Sequence, residues 1–328
     1  MINIKNKSIL LIAPKFFNYE VFIKERLESK GAKVFLIYEN LDEINILYRF
    51  VYVYLKKLKQ RISNHHYNSS LKRIKEKIDI VLVIRGSSIT ELIMDKMHNK
   101  YPDAFFVMYQ WDSIKNNKNA ELIAKYFNKC LTFDKDDARN KNWQYRPLFY
   151  VRSTKNINKD IDVAYICSIH SERIQILNKL INICKDKKLS LFTHVFTKRI
   201  IYLKRKYLDK AQEYMIAENK YIKFYSLSSN NLFDIYARSK IVVDYTNPNQ
   251  KGLTMRTIEC LGNNCKLVTN NSNLKDENIF NDSNYYIYQG TNVEIPDYLS
   301  SEPYEELNKA IYDYYSLDGW IETILETK

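Results

Sequence analysis

Short apolar runs that alternate with helical segments constrain the fold of this 328-residue chain more than any other feature. The first run (residues 9–13, ILLIA) is followed by a helical pattern at residues 19–30, by Gly31, and by a second apolar run at residues 34–38. Such runs predict buried parallel strands, and Gly31 is suited to end the intervening helix. Strand, helix and strand in succession predict the opening of a doubly wound sheet.

The same alternation continues along the chain and restarts after a polar stretch at residues 147–159. Before that stretch, further strands are predicted at residues 78–84, 104–109 and 130–133. After it, strands are predicted at residues 162–167, 189–196, 221–225, 240–244, 265–269 and 285–288. The pattern therefore predicts two α/β domains, residues 1–150 and 151–300, followed by a helical acidic tail at residues 301–328.

Glycine is scarce, with six in the whole chain. Neither G-x-x-x-x-G-K-[ST] nor G-x-G-x-x-G occurs, which argues against P-loop NTPases, standard protein kinases and standard dinucleotide dehydrogenases. Any phosphate that this chain binds must therefore be held by helix N-termini and side chains.

Positive charge is concentrated in the first half. Residues 1–150 carry 27 Lys and Arg against 16 Asp and Glu, whereas the remainder carries 24 against 22. This imbalance predicts an anionic partner: nucleic acid, a membrane surface or an acidic substrate. Residues 47–77 contain nine basic residues and one acidic residue, and a basic, tyrosine-rich helix with Lys56, Lys57, Lys59 and Arg61 suits an anionic membrane. A core helix followed by a solvated lysine run is the alternative.

The cysteines and the N-terminus bear on cofactors and location. None of the five cysteines has metal-site spacing, the first apolar run stops at Pro14, and no apolar stretch is long enough to span a membrane. We expect reduced thiols, no metal cofactor and a cytoplasmic protein, peripheral to the inner face of the cell membrane.

The most informative segment is residues 247–271, NPNQKGLTMRTIECLGNNCKLVTNN. Gly252 permits a tight loop, Thr254 can cap the helix that begins there, and Arg256 falls in its first turn. A helix N-terminus with an arginine can bind a diphosphate, and Glu259, on the same face, can accept ribose hydroxyls. A solvated Glu259 and a surface ion pair of Arg256 are the alternatives.

The run Q-x-G-L-T-x-R-x-x-E, followed by Gly262 and K-L-V-T, resembles the donor-binding segment of GT-B glycosyltransferases, closest to the CgeB-like and lipopolysaccharide or capsule branch. Residues 13–20, 109–113 and 132–138 also resemble that branch. The resemblance implies an α/β GT-B fold with two Rossmann-like domains facing a central cleft. The first would bind the acceptor and the second the nucleotide-sugar donor. A C-terminal helix at residues 301–328 would pack back on the first.

The resemblance also implies roles for individual residues. Glu259 would hold the donor ribose, and Arg256, Thr254 and Gly252 the pyrophosphate. The loop after the strand at residues 162–167, with Ser168, His170 and Arg173, would face the donor phosphates. Tyr225, at the end of the strand at residues 221–225, would contact the nucleobase. An ordinary loop histidine is the alternative for His170. Many retaining enzymes have a second glutamate where this chain has Lys251, so the stereochemical outcome stays open.

Polar residues that follow strands in the first half are the acceptor-side candidates. Lys15 and Arg85 lie at such positions, and Asp112 is the first candidate for the catalytic base, followed by Glu20. Asp112 could instead cap a helix, and Asp134 is expected to do so. Arginine and helix amides can offset the charge of a diphosphate leaving group, so no metal is expected.

The resemblance, together with the basic first half, implies an enzyme that moves a sugar from a nucleotide-sugar to a bacterial surface glycan, an anionic glycolipid or oligosaccharide of lipopolysaccharide or capsule. A GT-B-shaped, epimerase-like enzyme without transfer is one alternative. A basic nucleic-acid-binding protein is another, but no helix-turn-helix, RNP or zinc-finger pattern occurs, so no nucleic-acid partner is expected.

Overall fold

The computed structural model describes residues 4–39, 56–152, 157–169, 172–208, 221–247, 251–277 and 279–326. The chain divides into two compact units, Met1–Leu148 with Leu317–Lys328, and Phe149–Ser316. Among the described helices, none is both long enough and apolar enough to cross a membrane.

The first unit is built from alternating strands and helices. In chain order they are β1 (Ser8–Ala13), α1 (Tyr19–Ser29), β2 (Lys33–Tyr38), α2 (Lys56–Arg73), β3 (Ile80–Ile84), α3 (Glu91–Lys100), β4 (Phe105–Gln110), α4 (Asn119–Ile123), β5 (Lys129–Thr132), α5 (Lys135–Lys141) and β6 (Gln144–Tyr145). The strands form one parallel sheet in the order β2-β1-β3-β4-β5-β6. All five residues of β3 are buried, as expected for a parallel strand that helices cover on both faces.

The second unit repeats this construction. Its elements are β7 (Ile161–Ser168), α6 (Arg173–Asp186), β8 (Leu191–Phe196), α7 (Arg199–Leu203), β9 (Ile222–Lys223), α8 (Ser229–Arg238), β10 (Ser239–Asp244), α9 (Met255–Gly262), β11 (Lys266–Thr269), β12 (Tyr285–Ile287), α10 (Asp297–Ser301) and α11 (Lys309–Tyr315). The parallel sheet has the order β12-β11-β10-β7-β8-β9. Counted from β7, this is the 3-2-1-4-5-6 order of Rossmann folds.

The chain then returns to the first unit as α12 (Leu317–Leu325). There Trp320 is fully buried, with its ring in edge contact with Tyr109 of β4 at 4.9 Å, and Arg26 of α1 hydrogen-bonds Asp318. The tail was expected to return from residue 301, but residues up to Ser316 belong to the second unit. The reason is that side chains before that point bond there: the Tyr312 hydroxyl donates to Asn264 at 3.1 Å.

Two glycines have distinct backbone roles. Gly31 follows α1 in a left-handed conformation (φ 89°), and its amide donates to the Glu28 carbonyl, so the expected helix end is confirmed. Gly262 is the last residue of α9. A Cβ on Gly262 would lie 2.4 Å from the Tyr150 ring, so this position requires glycine for close packing.

Candidate active site

The strand order of the second unit reverses between β7 and β10. These strands are neighbours, and the chain reaches β8 and β9 on one side before it crosses to β10 and β11 on the other. Doubly wound folds bind ligands at the carboxyl ends of the strands at this point. The predicted donor residues of the β7–α6 loop and of α9 both follow these two strands, so the topology brings them to the same edge of the sheet.

Asp244, the last residue of β10, organises the start of α9. It is fully buried; its Oδ2 accepts hydrogen bonds from the hydroxyls of Thr246 at 3.1 Å and Thr254 at 2.8 Å, and its Oδ1 is bonded to Nη1 of Arg256. The Thr254 hydroxyl accepts from the Thr257 amide at 3.2 Å, which confirms the predicted N-cap. One buried carboxylate therefore fixes both the cap and the first-turn arginine.

The Arg256–Asp244 ion pair is largely buried, since the side chains are 16% and 0% exposed. Burial acts to lower the pKa of Arg256, but the electrostatic interactions with Asp244 and, to a smaller extent, with Tyr236, Cys167 and Tyr165 together raise it above its ordinary value. Arg256 is therefore held as a cation in the structure. The alternative of a solvent-exposed surface ion pair is wrong, because Asp244 is fully buried and only a small part of the Arg256 side chain is exposed.

Glu259 lies one turn further along α9 and is fully buried. Its Oε1 accepts a hydrogen bond from the Val151 amide at 3.2 Å. The alternative of a solvated helix residue is therefore wrong. Its contact with a donor ribose stays a prediction, and the observed bond shows that the same carboxylate also holds the segment that enters the second unit.

Gly252 lies in the loop before α9. It is buried, and its carbonyl accepts from the Asn271 side chain at 3.4 Å, while the neighbouring Lys251 carbonyl accepts from Asn273 at 2.9 Å. These two asparagines follow β11, so the loop is held to the same edge of the sheet.

The other predicted donor residues follow β7 and β9. Arg173 donates to the carbonyls of Ser168 at 3.2 Å and Tyr245 at 3.1 Å, and so links the ends of β7 and β10. His170 lies outside the described residues. Tyr225 is 64% exposed, and its ring is in edge contact with His194 at 5.2 Å. Its contact with a nucleobase stays a prediction.

In the first unit, the strand order reverses between β1 and β3. Arg85 directly follows β3 and has a left-handed conformation (φ 72°), which is uncommon for a residue with a side chain. Its carbonyl accepts from Gln110 and Asn117, each at 2.7 Å, which holds the conformation in place. Lys15, after β1, is exposed. Backbone strain of this kind is concentrated at functional sites, which supports the acceptor-side prediction for Arg85.

The two candidate bases differ in accessibility. Asp112 is half-buried; its Oδ1 accepts from the Ser113 amide at 3.0 Å and from Asn116 at 2.9 Å, and its Oδ2 lies 3.9 Å from Nε of Arg85. Asp112 therefore closes a turn and does not cap a helix. Glu20 is fully buried, and its Oε2 accepts from the Phe16 amide at 3.1 Å. Of the two, the carboxylate of Asp112 reaches the surface.

Asp134 caps α5, as predicted, because its side chain accepts from the amides of Asp136 and Asp137. The basic segment is only partly described: Arg61 is exposed on α2, whereas residues 47–55 and the side chains of Lys56, Lys57 and Lys59 lie outside the described residues. In the described part of the chain, no three His, Cys, Asp or Glu side chains are grouped to hold a metal.

Sequence reasoning did not single out Asp244. The signal was present, since a run of buried strand residues, KIVVD, ends in a carboxylate. A charged residue that ends a parallel strand at a switch point, with an arginine in the next helix, is a candidate for an organising ion pair. The spacing alone left open whether Arg256 contacted this carboxylate or solvent.

Several solved structures share this architecture. A glycosyltransferase from Rickettsia africae ESF-5 is 12% identical, covers 98% of this chain and 100% of its own, and superposes with a TM-score of 0.57. HepE from Anabaena, in complex with UDP-glucose, is 9% identical over 97% of this chain and 98% of its own, with a TM-score of 0.56. A candidate UDP-N-acetylglucosamine 2-epimerase from Listeria monocytogenes is 10% identical over 98% and 95%, with a TM-score of 0.53.

No protein-family model matches the sequence, and no curated protein matches it. At identities this low, the superpositions establish a shared fold, and the activity has to be argued from the residues. Two parallel six-stranded sheets with interleaved helices, and superposition over almost the entire chain, give the conclusion: this protein has the GT-B fold of two Rossmann-like domains.

Proposed function

We propose that the protein is a glycosyltransferase of the CgeB-like, lipopolysaccharide or capsule branch. It binds a nucleotide-sugar on the second unit and transfers the sugar to a bacterial surface glycan, an anionic glycolipid or oligosaccharide. The reaction takes place at the inner face of the cell membrane, without a metal cofactor and without a nucleic-acid partner.

The observation that carries the proposal is the start of α9 at the β7–β10 switch point. A helix N-terminus offers amide donors that have no partner within the helix, and its dipole favours an anion. Arg256 adds a cation whose orientation Asp244 fixes through Nη1. Nε of Arg256 is buried without a hydrogen-bond partner among the described residues. A buried donor without a partner lowers the stability of the folded state unless a ligand accepts its hydrogen bond. A diphosphate leaving group supplies the complementary charge.

The other donor contacts follow from the same edge of the sheet. Ser168 and Arg173 would face the phosphates, Glu259 the ribose, and Tyr225 the base. The solved structure of HepE with UDP-glucose, which shares the fold, supports a nucleotide-sugar as the ligand class.

The reaction needs a base for the acceptor hydroxyl if it inverts configuration. Asp112 is the residue that we propose, because its Oδ2 is left for this role once Oδ1 has closed the turn. Arg85 at 3.9 Å keeps the carboxylate oriented and contributes a positive charge that suits an anionic acceptor. Lys15 belongs to the same acceptor side, and Glu20 is the less suitable base because it is fully buried.

The test is a ligand screen by thermal shift with UDP-, GDP-, ADP- and CMP-sugars, followed by a transfer assay. A ligand that binds only the folded state raises the unfolding temperature in proportion to the logarithm of its concentration over its Kd. We expect one nucleotide class to do so. Asp112→Asn should retain that shift and lose transfer by roughly 100-fold or more, as for removal of a general base. A thermal shift that oligonucleotides cause and that none of the nucleotide-sugars causes would contradict the proposal.

A sugar-nucleotide epimerase is the second candidate, favoured by the superposition on the Listeria epimerase candidate. It requires no acceptor. Conversion of the stabilising nucleotide-sugar into an isomer, in the absence of any acceptor and with no free nucleoside diphosphate released, would favour this candidate over a transferase.

A further inference from the structure

A basic and apolar surface lies on the second unit, at residues 198–207 and 223–224; we name it the β8 patch because it begins just after β8. Its sequence contains no Asp or Glu in either stretch. Four of its cations are exposed: Lys198, Arg199, Lys204 and Arg205. The local charge is therefore of one sign.

The same surface exposes large apolar side chains. Ile200 is 75% exposed, Ile201 46%, Leu203 43% and Tyr207 64%. Single exposed apolar residues are common on proteins, but a contiguous group marks a surface that contacts another apolar phase. An ordinary core-facing helix would bury most of these side chains.

The β8 patch is attached to the folded unit. Tyr202 is buried in its core, with its ring in edge contact with Phe224 at 5.6 Å, and the Thr197 amide donates to the Lys223 carbonyl at 3.0 Å. Phe224 is 44% exposed and extends the apolar area. The scaffold therefore presents the apolar and basic groups together.

We propose that the β8 patch docks the second unit on an anionic lipid bilayer. Isoleucine, leucine and aromatic side chains enter the boundary between headgroups and acyl chains, and the cations around them contact anionic headgroups. Nucleic acid would match the cations, but its phosphates would leave Ile200, Ile201 and Leu203 exposed to water. A bilayer with anionic headgroups can contact both the cations and the apolar side chains of the patch.

This surface is separate from the basic segment around α2, which belongs to the first unit. Binding to lipid requires neither a nucleotide-sugar nor transfer. The proposal therefore stands or fails independently of the proposed enzymatic function.

The experiment is co-sedimentation of the full chain with phosphatidylcholine vesicles, with and without phosphatidylglycerol. One variant removes charge (Arg199→Gln/Lys204→Gln) and one removes apolar area (Ile200→Ser/Leu203→Ser). Each cation near an anionic surface contributes about fivefold to binding, so the first variant should bind roughly 30-fold more weakly. The second should bind at least about tenfold more weakly even at low salt, because its loss is hydrophobic.

Matched controls change the same residue types elsewhere. Lys185→Gln/Lys188→Gln removes two exposed cations of the same unit, and Leu92→Ser/Leu122→Ser removes two leucines that are 50% and 61% exposed beside Glu91 and Glu121. Both controls should bind like the unchanged chain. Melting temperatures should be similar throughout, because every altered side chain is exposed.

Three results would overturn the proposal. The first is equal binding to neutral and anionic vesicles. The second is unchanged vesicle binding of both patch variants. This result would also overturn the proposal if neutralising Lys56, Lys57, Lys59 and Arg61 abolished vesicle binding, because the basic segment around α2 would then be the docking surface. The third is an equal loss in the controls, which would indicate attraction by net charge alone.

Discussion

At the scale of single residues, the buried pair of Asp244 and Arg256 is the critical feature of the candidate site. Removing one member of a buried pair leaves an uncompensated charge, which typically costs about 3–5 kcal/mol. We expect Arg256→Met to lower the free energy of unfolding by about that amount in urea titrations. Adding Asp244→Asn to Arg256→Met should recover part of the loss, since the stranded charge disappears.

The exposed pair of Arg238 and Asp160 is the control, with side chains 49% and 47% exposed. Arg238→Met should cost less than about 1 kcal/mol, because water and salt screen such pairs. Additive effects of Asp244→Asn and Arg256→Met would show that the two side chains do not interact.

Gly262 yields a second residue-scale prediction. An alanine in a helix is favoured over glycine by about 1 kcal/mol, but here its Cβ would lie 2.4 Å from Cγ of Tyr150. That ring is held by the Tyr150 hydroxyl, which donates to the Tyr312 carbonyl at 2.9 Å. Gly262→Ala should therefore destabilise the protein by about 1–3 kcal/mol in denaturant unfolding. Tyr150→Ala in the same chain should relieve the clash. The loss of unfolding free energy in the double variant should therefore be smaller than the sum of the losses in the two single variants.

At the scale of elements, α9 is fixed at both ends. Asp244 and Thr254 hold its start, and the Lys159 ammonium donates to the Asn263 carbonyl at 3.0 Å beyond its end. A short helix gains little from propensity alone, so these contacts set its position. The N-terminal amides and Arg256 are thus presented at the switch point in one orientation.

Thr254→Ala tests whether the start of α9 serves binding as well as folding. Loss of an N-cap typically costs about 1 kcal/mol, and here a hydrogen bond to Asp244 is lost as well. The matched control is Thr90→Ala, since Thr90 caps α3 by accepting from the Ile93 amide. We expect both variants to lower the melting temperature. Only Thr254→Ala should weaken nucleotide-sugar binding in calorimetric titrations, and an equal effect of Thr90→Ala on binding would contradict a donor site at α9.

At the scale of the whole molecule, the first unit is completed by the C-terminal helix. Burial of Trp320 against Tyr109 should dominate that attachment, because removing a buried tryptophan typically costs about 3–5 kcal/mol. The Arg26 and Lys30 bonds to the partly exposed Asp318 should contribute less than about 1 kcal/mol. We therefore expect Trp320→Ala to destabilise the first unit far more than Asp318→Asn in denaturant titrations.

Asp318 also gives that attachment a pH dependence. Its hydrogen bond from Arg26 lowers its pKa below the ordinary value of 3.8. Because the folded-state pKa is the lower one, the contribution is present above about pH 4 and is lost as pH falls through the folded-state pKa. Unfolding titrations should show the difference between the unchanged chain and Asp318→Asn shrinking below about pH 4. A difference that grew in acid would contradict this assignment.

The fold could be predicted to a large extent from the sequence, because its signals are local. Apolar runs such as residues 80–84 indicate parallel strands. Thr254 indicates a helix start, and the helix begins one residue after it. The course of the tail could not be predicted, since residues 301–316 have helical composition but bond to the second unit. The candidate donor loop was found by pattern, whereas its organising carboxylate was not.

The sequence by itself determined two sets of strands and helices and the placement of Thr254, Arg256 and Glu259 on one helix, because periodicity and capping act over a few residues. Only the tertiary structure decided what those side chains contact. Arg256 reaches Asp244 across a long loop, and Glu259 accepts from Val151, 108 residues away. Such partners depend on how sheets order their strands, a property of the folded chain that short-range spacing does not encode.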